Sequence, residues 1–187
     1  MTLKLNIIIG STRPGRGGPV VAKWVADIAR ADGTFEVDLV DLADFALPVF
    51  DEPAHPRLQK YEHEHTKRWA KSVASADAFI FVTPEYDYFP NAALVNALQY
   101  LSVEWARKVA GIVSYGGVSG GLRAAQELRL LISNLNMMPI PQTVPLTFYN
   151  KNISDEQVFT ATEPMVDGVK GALAELEKWA TALKTIR

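Results

Sequence analysis

Apolar and polar positions alternate along the chain in two rhythms, short continuous apolar runs and longer runs at helical spacing. Leu5 to Ile9 is nearly all apolar and stops at Gly10, the pattern of a strand buried on both faces. Val20, Val21, Trp24, Val25, Ile28 and Ala29 then recur as one face of a helix. Phe35, Val37 and Leu39 alternate with Glu36 and Asp38, which predicts a strand with one wetter face. A Pro-rich, acidic stretch from about Ala43 to Arg57 reads as a long loop, and a helix from about Leu58 to Ala76 is expected to follow it. Ala78 to Val82 is a second buried strand, with a turn expected at Thr83-Pro84. Leu94, Leu98 and Leu101 mark the next helix, and Val109 to Val113 a third buried strand stopped by Ser114-Tyr-Gly-Gly. Ala124, Leu128, Leu131 and Leu135 predict another helix. Met137 to Val144 predicts a last strand, placed at a sheet edge because Pro139 and Pro141 cannot donate to a ladder. After a polar loop, Val169, Leu173, Leu176, Ala180 and Leu183 form a closing helix.

About five strand–helix units in alternation predict a single α/β domain over residues 1–187: a parallel sheet with helices on both faces and right-handed crossovers. In such sheets ligands bind outside the carboxyl ends of the strands, near the point where the strand order reverses. That directs attention to Gly10–Pro19, Thr83–Pro90 and Ser114–Gly121, the stretches whose composition is also most unusual.

Composition narrows the chemistry. Lys and Arg number 19 against 21 Asp and Glu, a net charge of −2 that argues against a dedicated nucleic-acid binder. There are no cysteines, which excludes a disulfide scaffold, a thiol nucleophile and a thiolate metal site. The start of the chain shows no apolar stretch typical of a secretion signal, and no run approaches the ~18 apolar residues of a membrane helix. A cytoplasmic protein without membrane or nucleic-acid partners is expected.

The first loop, Gly10-Ser-Thr-Arg-Pro-Gly-Arg-Gly-Gly-Pro19, joins a buried strand to a helix. Glycines permit close backbone approach, free N–H groups at a helix start face bound anions, and Ser11, Thr12, Arg13 and Arg16 add donors for phosphate oxygens. It is neither a Walker loop, since Arg16-Gly17 stand where Lys and Ser or Thr belong, nor a dinucleotide fingerprint, since Val20 fills a glycine position. The second loop, Pro84-Glu-Tyr-Asp-Tyr-Phe-Pro90, offers aromatics to stack on a flat ligand or to cover a subunit contact. The third, Gly117-Val-Ser-Gly-Gly121, matches a hydrolase nucleophile elbow. In that fold the histidine follows the serine, whereas His55, His63 and His65 all precede Ser119. His63 and His65, read as helical, would point to nearly opposite sides and could not chelate one metal.

Taken together, Gly10-Ser-Thr-Arg13, Thr83-Pro-Glu-Tyr86 and Tyr115-Gly-Gly-x-Ser-Gly-Gly121 resemble the NADPH-dependent FMN reductase family of flavodoxin-like proteins, a group that includes quinone, azo-compound and chromate reductases. The resemblance runs from Leu3 to Val144 and includes Trp105 and Arg123. It implies a flavodoxin-like three-layer sandwich with a five-stranded parallel sheet in the order 2-1-3-4-5. It also implies FMN held without a covalent bond and NADPH or NADH as co-substrate. The phosphate would sit on Ser11, Arg13, Gly18, Pro19 and Val20. The ring edge would lie against Pro84, Glu85, Tyr86 and Asp87, with Ser114, Tyr115, Gly116 and Gly117 closing the site. Tyr88, Phe89 and Ser119 would shape the pocket for a small-molecule oxidant. No catalytic side chain or metal is expected, because the cofactor carries the chemistry. Members are usually homodimers or homotetramers, in which Phe50 and Tyr100 could come from the neighbouring subunit. Asp87 replaces the family's usual Asn, and Leu94-Val-Asn-Ala-Leu-Gln99 lacks the Lys and Asp of its usual helix pattern. A flavodoxin-type electron carrier and a non-catalytic flavin-binding protein are the competing readings. The basic first loop counts against the carrier, whose FMN is usually ringed by acidic loops.

Overall fold

The apolar run predicted as a buried strand is central in the computed structural model, which describes residues 2–187. Strand β1 (Leu3–Ile9) pairs in parallel with β2 (Phe35–Asp41) on one side and β3 (Ala78–Tyr86) on the other. β3 pairs in parallel with β5 (Val109–Gly116), and β5 with β6 (Met138–Thr147). Between them the two-residue β4 (Phe89–Pro90) folds back antiparallel on the end of β3. The order is therefore β2-β1-β3-β5-β6, with β4 off the path. The five long strands stand in the expected succession, and the difference from the expectation is this short sixth strand.

Burial explains the order. β1, β3 and β5 are apolar almost throughout and lie inside the sheet, whereas the half-polar β2 and β6 are its edges. Pro139 and Pro141 fall in a register shift of β6 opposite Ala110–Ile112, as an edge strand permits. The Arg129 guanidinium satisfies the carbonyls left over there, donating to Ile140 O (2.5 Å), Pro141 O (2.9 Å) and Thr143 Oγ1 (2.7 Å).

Side-chain alternation along β1 divides the core into layers. Leu5, Ile7 and Ile9 pack with Val21, Val25 and Ala29 of α1 (Gly18–Asp32) and with Val169, Leu173 and Leu176 of α5 (Glu163–Lys184). Ile8 faces the other way, into a core built with Trp69 and Val73 of α2 (Glu64–Ser75), Leu94 and Leu98 of α3 (Ala92–Gln99), and Leu128 and Ile132 of α4 (Leu122–Asn134). Trp105 is fully buried among Trp69, Phe79 and Phe81.

Two sequence expectations need correction. The helix expected from Leu58 begins only at Glu64, after a 3-10 turn at Pro56–Leu58. Buried carboxylates hold the intervening chain extended: Glu52 accepts the N–H groups of Glu62 (2.8 Å) and His63 (3.1 Å), and Glu104 accepts from Gln59 (3.0 Å) and the Tyr61 hydroxyl (2.8 Å). His63 is consequently the residue before the helix, at φ −86° and ψ 140°, not part of it. Its ring stacks on His65 at 5.2 Å beside Asp51, so the two do not point to opposite sides. The turn expected at Thr83-Pro84 is also displaced. There β3 continues alongside β5, with Thr83 opposite Ser114 and Pro84 opposite Tyr115, and reverses at Asp87-Tyr88. Pairing with β1 ends at Val82, so Pro84 stands where one side of the strand needs no donor.

Candidate functional site

The loops leaving β1, β3 and β5 meet at the carboxyl end of the sheet, and the segment after β6 joins them. They enclose a cavity of about 210 Å³ with Arg13, Arg16 and Gly17 on one side, Pro84, Glu85 and Tyr86 on another, and Tyr115, Gly116 and Gly117 facing Tyr149 and Asn150. A wider depression of about 670 Å³ lies at the amino end of the sheet, between Thr2, Gly33, Thr34 and Lys184. Of these two, the first lies at the carboxyl strand ends, where loops and a helix N-terminus converge.

Loop one is built around small residues. Ser11 is buried and accepts a hydrogen bond from the Tyr115 hydroxyl (3.1 Å), which ties the first loop to the third. A Cβ on Gly18 would stand 2.4 Å from Ser11 Oγ and 2.8 Å from the Tyr115 hydroxyl, so only glycine permits this approach. Helix α1 starts there with Gly17 as its cap and no side chain bonded to its free N–H groups, leaving an electropositive end. Arg13 is exposed and donates through Nε to the Tyr86 hydroxyl (3.2 Å), spanning loops one and two. Arg16 pairs with Asp41 at the end of β2, while its Nε is buried with no acceptor.

Loop two carries its chemistry unequally. The Glu85 side chain is 7% exposed and turns toward α4. It accepts from Ser119 Oγ (3.0 Å), Arg123 Nε (2.7 Å), Arg123 N–H (3.1 Å) and Ala124 N–H (3.4 Å), which makes it the cap of that helix. Burial pushes its pKa up, and the bonds from Arg123, Ser119 and Ala124 bring it below the ordinary glutamate value. Tyr86 lines the cavity, but Asp87 and Tyr88 form the exposed hairpin tip, both at positive φ (50° and 74°). The Arg123 guanidinium lies 3.8 Å from the Tyr88 ring centroid and holds it over α4. Phe89 is exposed beside the tip.

Loop three is a backbone wall. Ser114 is buried with its hydroxyl donating to Gly120 O (2.9 Å), so its side chain serves the loop itself. Ser119 Oγ is taken by Glu85, the carboxylate that also receives the N–H groups opening α4. Burial raises the Tyr115 pKa, and the phenol stays protonated and able to donate.

Of the residues singled out in the sequence, Arg13, Pro84, Glu85, Tyr86, Tyr115, Gly116 and Gly117 line the cavity, and Ser11 and Gly18 contact Tyr115. Pro19 and Val20 belong to the first turn of α1 and do not line it; Asp87, Tyr88, Phe89, Ser114 and Ser119 also stand outside its lining. Tyr149 and Asn150, which do line it, fall in the stretch read as a polar loop. Their signal was positional: they follow directly on the carboxyl end of the last strand.

A doubly wound parallel sheet whose glycine-rich first loop opens onto a helix N-terminus and an aromatic-edged slot is the architecture of a flavodoxin-like mononucleotide-binding protein. The chain belongs to the NADPH-dependent FMN reductase family, whose profile it matches over residues 3–151. It is 38% identical over 180 residues to an NAD(P)H-dependent FMN reductase of Schizosaccharomyces pombe, covering 95% of this chain and 87% of that protein. An NADPH azoreductase of Bacillus sp. is 29% identical over 187 residues, covering 99% and 97%. Among solved structures, the fold is similar to that of the FerB flavoenzyme of Paracoccus denitrificans, with a TM-score of 0.76 at 17% identity over 96% of this chain and 98% of that one.

The residues present fit FMN. The exposed Arg13, a buried Arg16 Nε lacking an acceptor and an uncapped helix start suit a phosphate, and the Tyr86 edge suits an aromatic ring.

Proposed function

We propose that this chain is an NAD(P)H-dependent, FMN-containing reductase of quinones, azo compounds or similar small oxidants. The observation that carries this reading is the convergence in one slot, at the carboxyl end of the sheet, of two arginines, the uncapped start of α1 and tyrosines from three separate segments. Relatives named as FMN reductases, an azoreductase and a quinone reductase support the choice of substrates.

When bound, the flavin supplies hydride acceptance from NAD(P)H and two-electron delivery to the oxidant, so that NAD(P)H, a quinone and one proton yield NAD(P)⁺ and the hydroquinone. The chain's own residues bind and orient. Arg13 and the amides at the start of α1 hold the phosphate, with Ser11 and Tyr115 fixing the loop behind them. Pro84 to Tyr86 and Tyr115 to Gly117 would flank the ring edge, where any backbone N–H donors facing it would stabilise negative charge as an oxyanion hole does. Glu85 acts from behind, locking loops two and three together through Ser119 and Arg123. Tyr88 and Phe89 stand at the rim, where an oxidant or a second subunit would meet them. The reading includes a cytoplasmic homodimer or homotetramer, with exposed Val49, Phe50, Tyr88 and Phe89 as apolar side chains that such an assembly would cover. No described helix is long and apolar enough to cross a membrane.

Steady-state oxidation of NADPH or NADH by FMN-saturated protein, with a benzoquinone as acceptor, tests the reading. Turnover with parallel double-reciprocal lines, the signature of alternating substrates, is expected. Protein that holds FMN and oxidises neither nucleotide would instead be a binding protein or carrier.

A further inference from the structure

The cations around the mouth of the slot are not alike. Arg16 pairs with Asp41 and Arg123 with Glu85, and Arg13 is taken by the flavin phosphate in the reading above. Lys151 has no part in that reading. It is exposed, and among the described residues no carboxylate stands within 4 Å of its ammonium. What lies against it is an aromatic ring: Lys151 Nζ is 4.9 Å from the centroid of Phe148, which is 46% exposed.

Backbone holds this pair at the rim. Phe148 sits at φ 46°, a left-handed conformation that a bulky side chain rarely adopts. Its N–H donates to Gly117 O (3.1 Å), which pins it to a residue lining the slot, and Lys151 N–H returns to Phe148 O (2.9 Å), which closes the turn. Tyr149 and Asn150, between the two, line the slot itself. Packing does not account for a conformation that presents an apolar ring nearly half open to water, and backbone strain of this kind gathers at ligand sites. Asp155 and Glu156, which follow in the chain, belong to a separate turn closed by Gln157 N–H on Ser154 O (3.0 Å).

An open aromatic face beside an unneutralised ammonium suits one ligand chemistry, a flat ring bearing an anionic group: the ring stacks and the ammonium takes the anion. We propose that Phe148 and Lys151 form a recognition point at the rim of the slot for substrates of that chemistry, either the adenosine of NADPH with its 2′-phosphate or an oxidant carrying a sulfonate on its ring. The inference rests on the reductase reading and adds a determinant of substrate choice outside the flavin's own contacts.

Initial rates of the FMN-loaded protein distinguish the two sources, because with alternating substrates each kcat/KM reports its own half-reaction. Lys151→Gln keeps the stem over Phe148 and removes the charge; Lys151→Arg keeps the charge; Phe148→Leu keeps apolar bulk and removes the flat face. Each is compared with wild type on NADPH against NADH, and on a naphthoquinone sulfonate against the unsubstituted naphthoquinone. In Lys151→Gln, a fall of about tenfold in kcat/KM for NADPH with NADH unaffected assigns the point to the nucleotide phosphate, and the same fall for the sulfonated quinone alone assigns it to the oxidant. Lys151→Arg is expected to restore most of the loss, and Phe148→Leu to lower kcat/KM for the same substrate. FMN affinity and melting temperature are expected to stay at wild-type values in all three. Lys151→Gln rates that are unchanged, or that fall equally for the charged and uncharged member of each pair, would overturn the inference while leaving the reductase reading intact. Wild-type protein that oxidises neither nucleotide would overturn both.

Discussion

Replacing Glu85 by Ala tests how the site is held together. The side chain is 7% exposed and caps the first turn of α4 through the N–H groups of Arg123 and Ala124, while it accepts from Ser119 Oγ. Losing a helix cap costs about 0.5–2 kcal/mol, and leaving the half-buried Ser119 hydroxyl without its acceptor adds at most about 1 kcal/mol. The ion pair adds little beyond this, because Arg123 is 41% exposed and water can take over its charge. The sum is about 1.5–3 kcal/mol, which for a domain of this size lowers Tm by roughly 3–12 °C. Glu85→Gln keeps the shape and one acceptor oxygen and is expected to lose about half as much. Urea titration followed by tryptophan fluorescence, with an unchanged slope, reads the change directly. Glu85→Ala stability within about 0.5 kcal/mol of wild type, the range of an ordinary surface change, would refute the carboxylate's role as the lock between loops two and three.

Three further outcomes follow from the same geometry. Arg13→Ala should weaken FMN by about 1.5–3 kcal/mol, the value of a bond to a charged group, measured by flavin fluorescence quenching; unchanged affinity would remove Arg13 from the phosphate. Gly18→Ala places a Cβ 2.4 Å from Ser11 Oγ, so it should cost about 1–3 kcal/mol of stability through overpacking and break the Tyr115–Ser11 bond, both visible in a melt and in FMN affinity. In acid, the native pKa values of Glu85 and of Asp77, which pairs with Lys184 and Arg187 at 2.9 Å just before β3, lie below their ordinary 4.5 and 3.8. The unfolded chain therefore takes up protons first, and the stability these groups add above those values is lost as pH falls through the native ones. Glu85→Gln should flatten that part of the stability–pH curve, and an unaltered curve would contradict the assignment.

Legibility of the fold followed the physics of each element. Leu5–Ile9, Ala78–Val82 and Val109–Val113 were readable as central because a strand buried on both faces must be apolar throughout. Pro139 and Pro141 marked the edge because a missing donor is tolerated only there. The strap before α2 was not readable, since its extended course depends on Glu52 and Glu104, whose partners come together only in the folded chain. The hairpin at Asp87-Tyr88 was equally hidden. Asp87 tolerates positive φ but Tyr88 does not advertise it, and the conformation is held by Arg123 stacking on Tyr88 from a distant helix. At the site, the glycines and arginine of loop one announced their chemistry locally. Glu85 announced only a polar side chain near a ligand, and its role as a helix cap required the fold. Tyr149 carried only a positional signal, following the last strand, and its packing on Gly17 required the fold.

The central claim, that the mouth of the sheet holds a flavin which NAD(P)H reduces directly, is tested most simply by a visible absorption spectrum of the FMN-loaded protein before and after anaerobic addition of NADPH or NADH. The account predicts a protein-bound flavin band that bleaches on adding nicotinamide and returns when a quinone is admitted. A colourless protein that takes up no FMN, or a bound band that neither nucleotide alters, would contradict it.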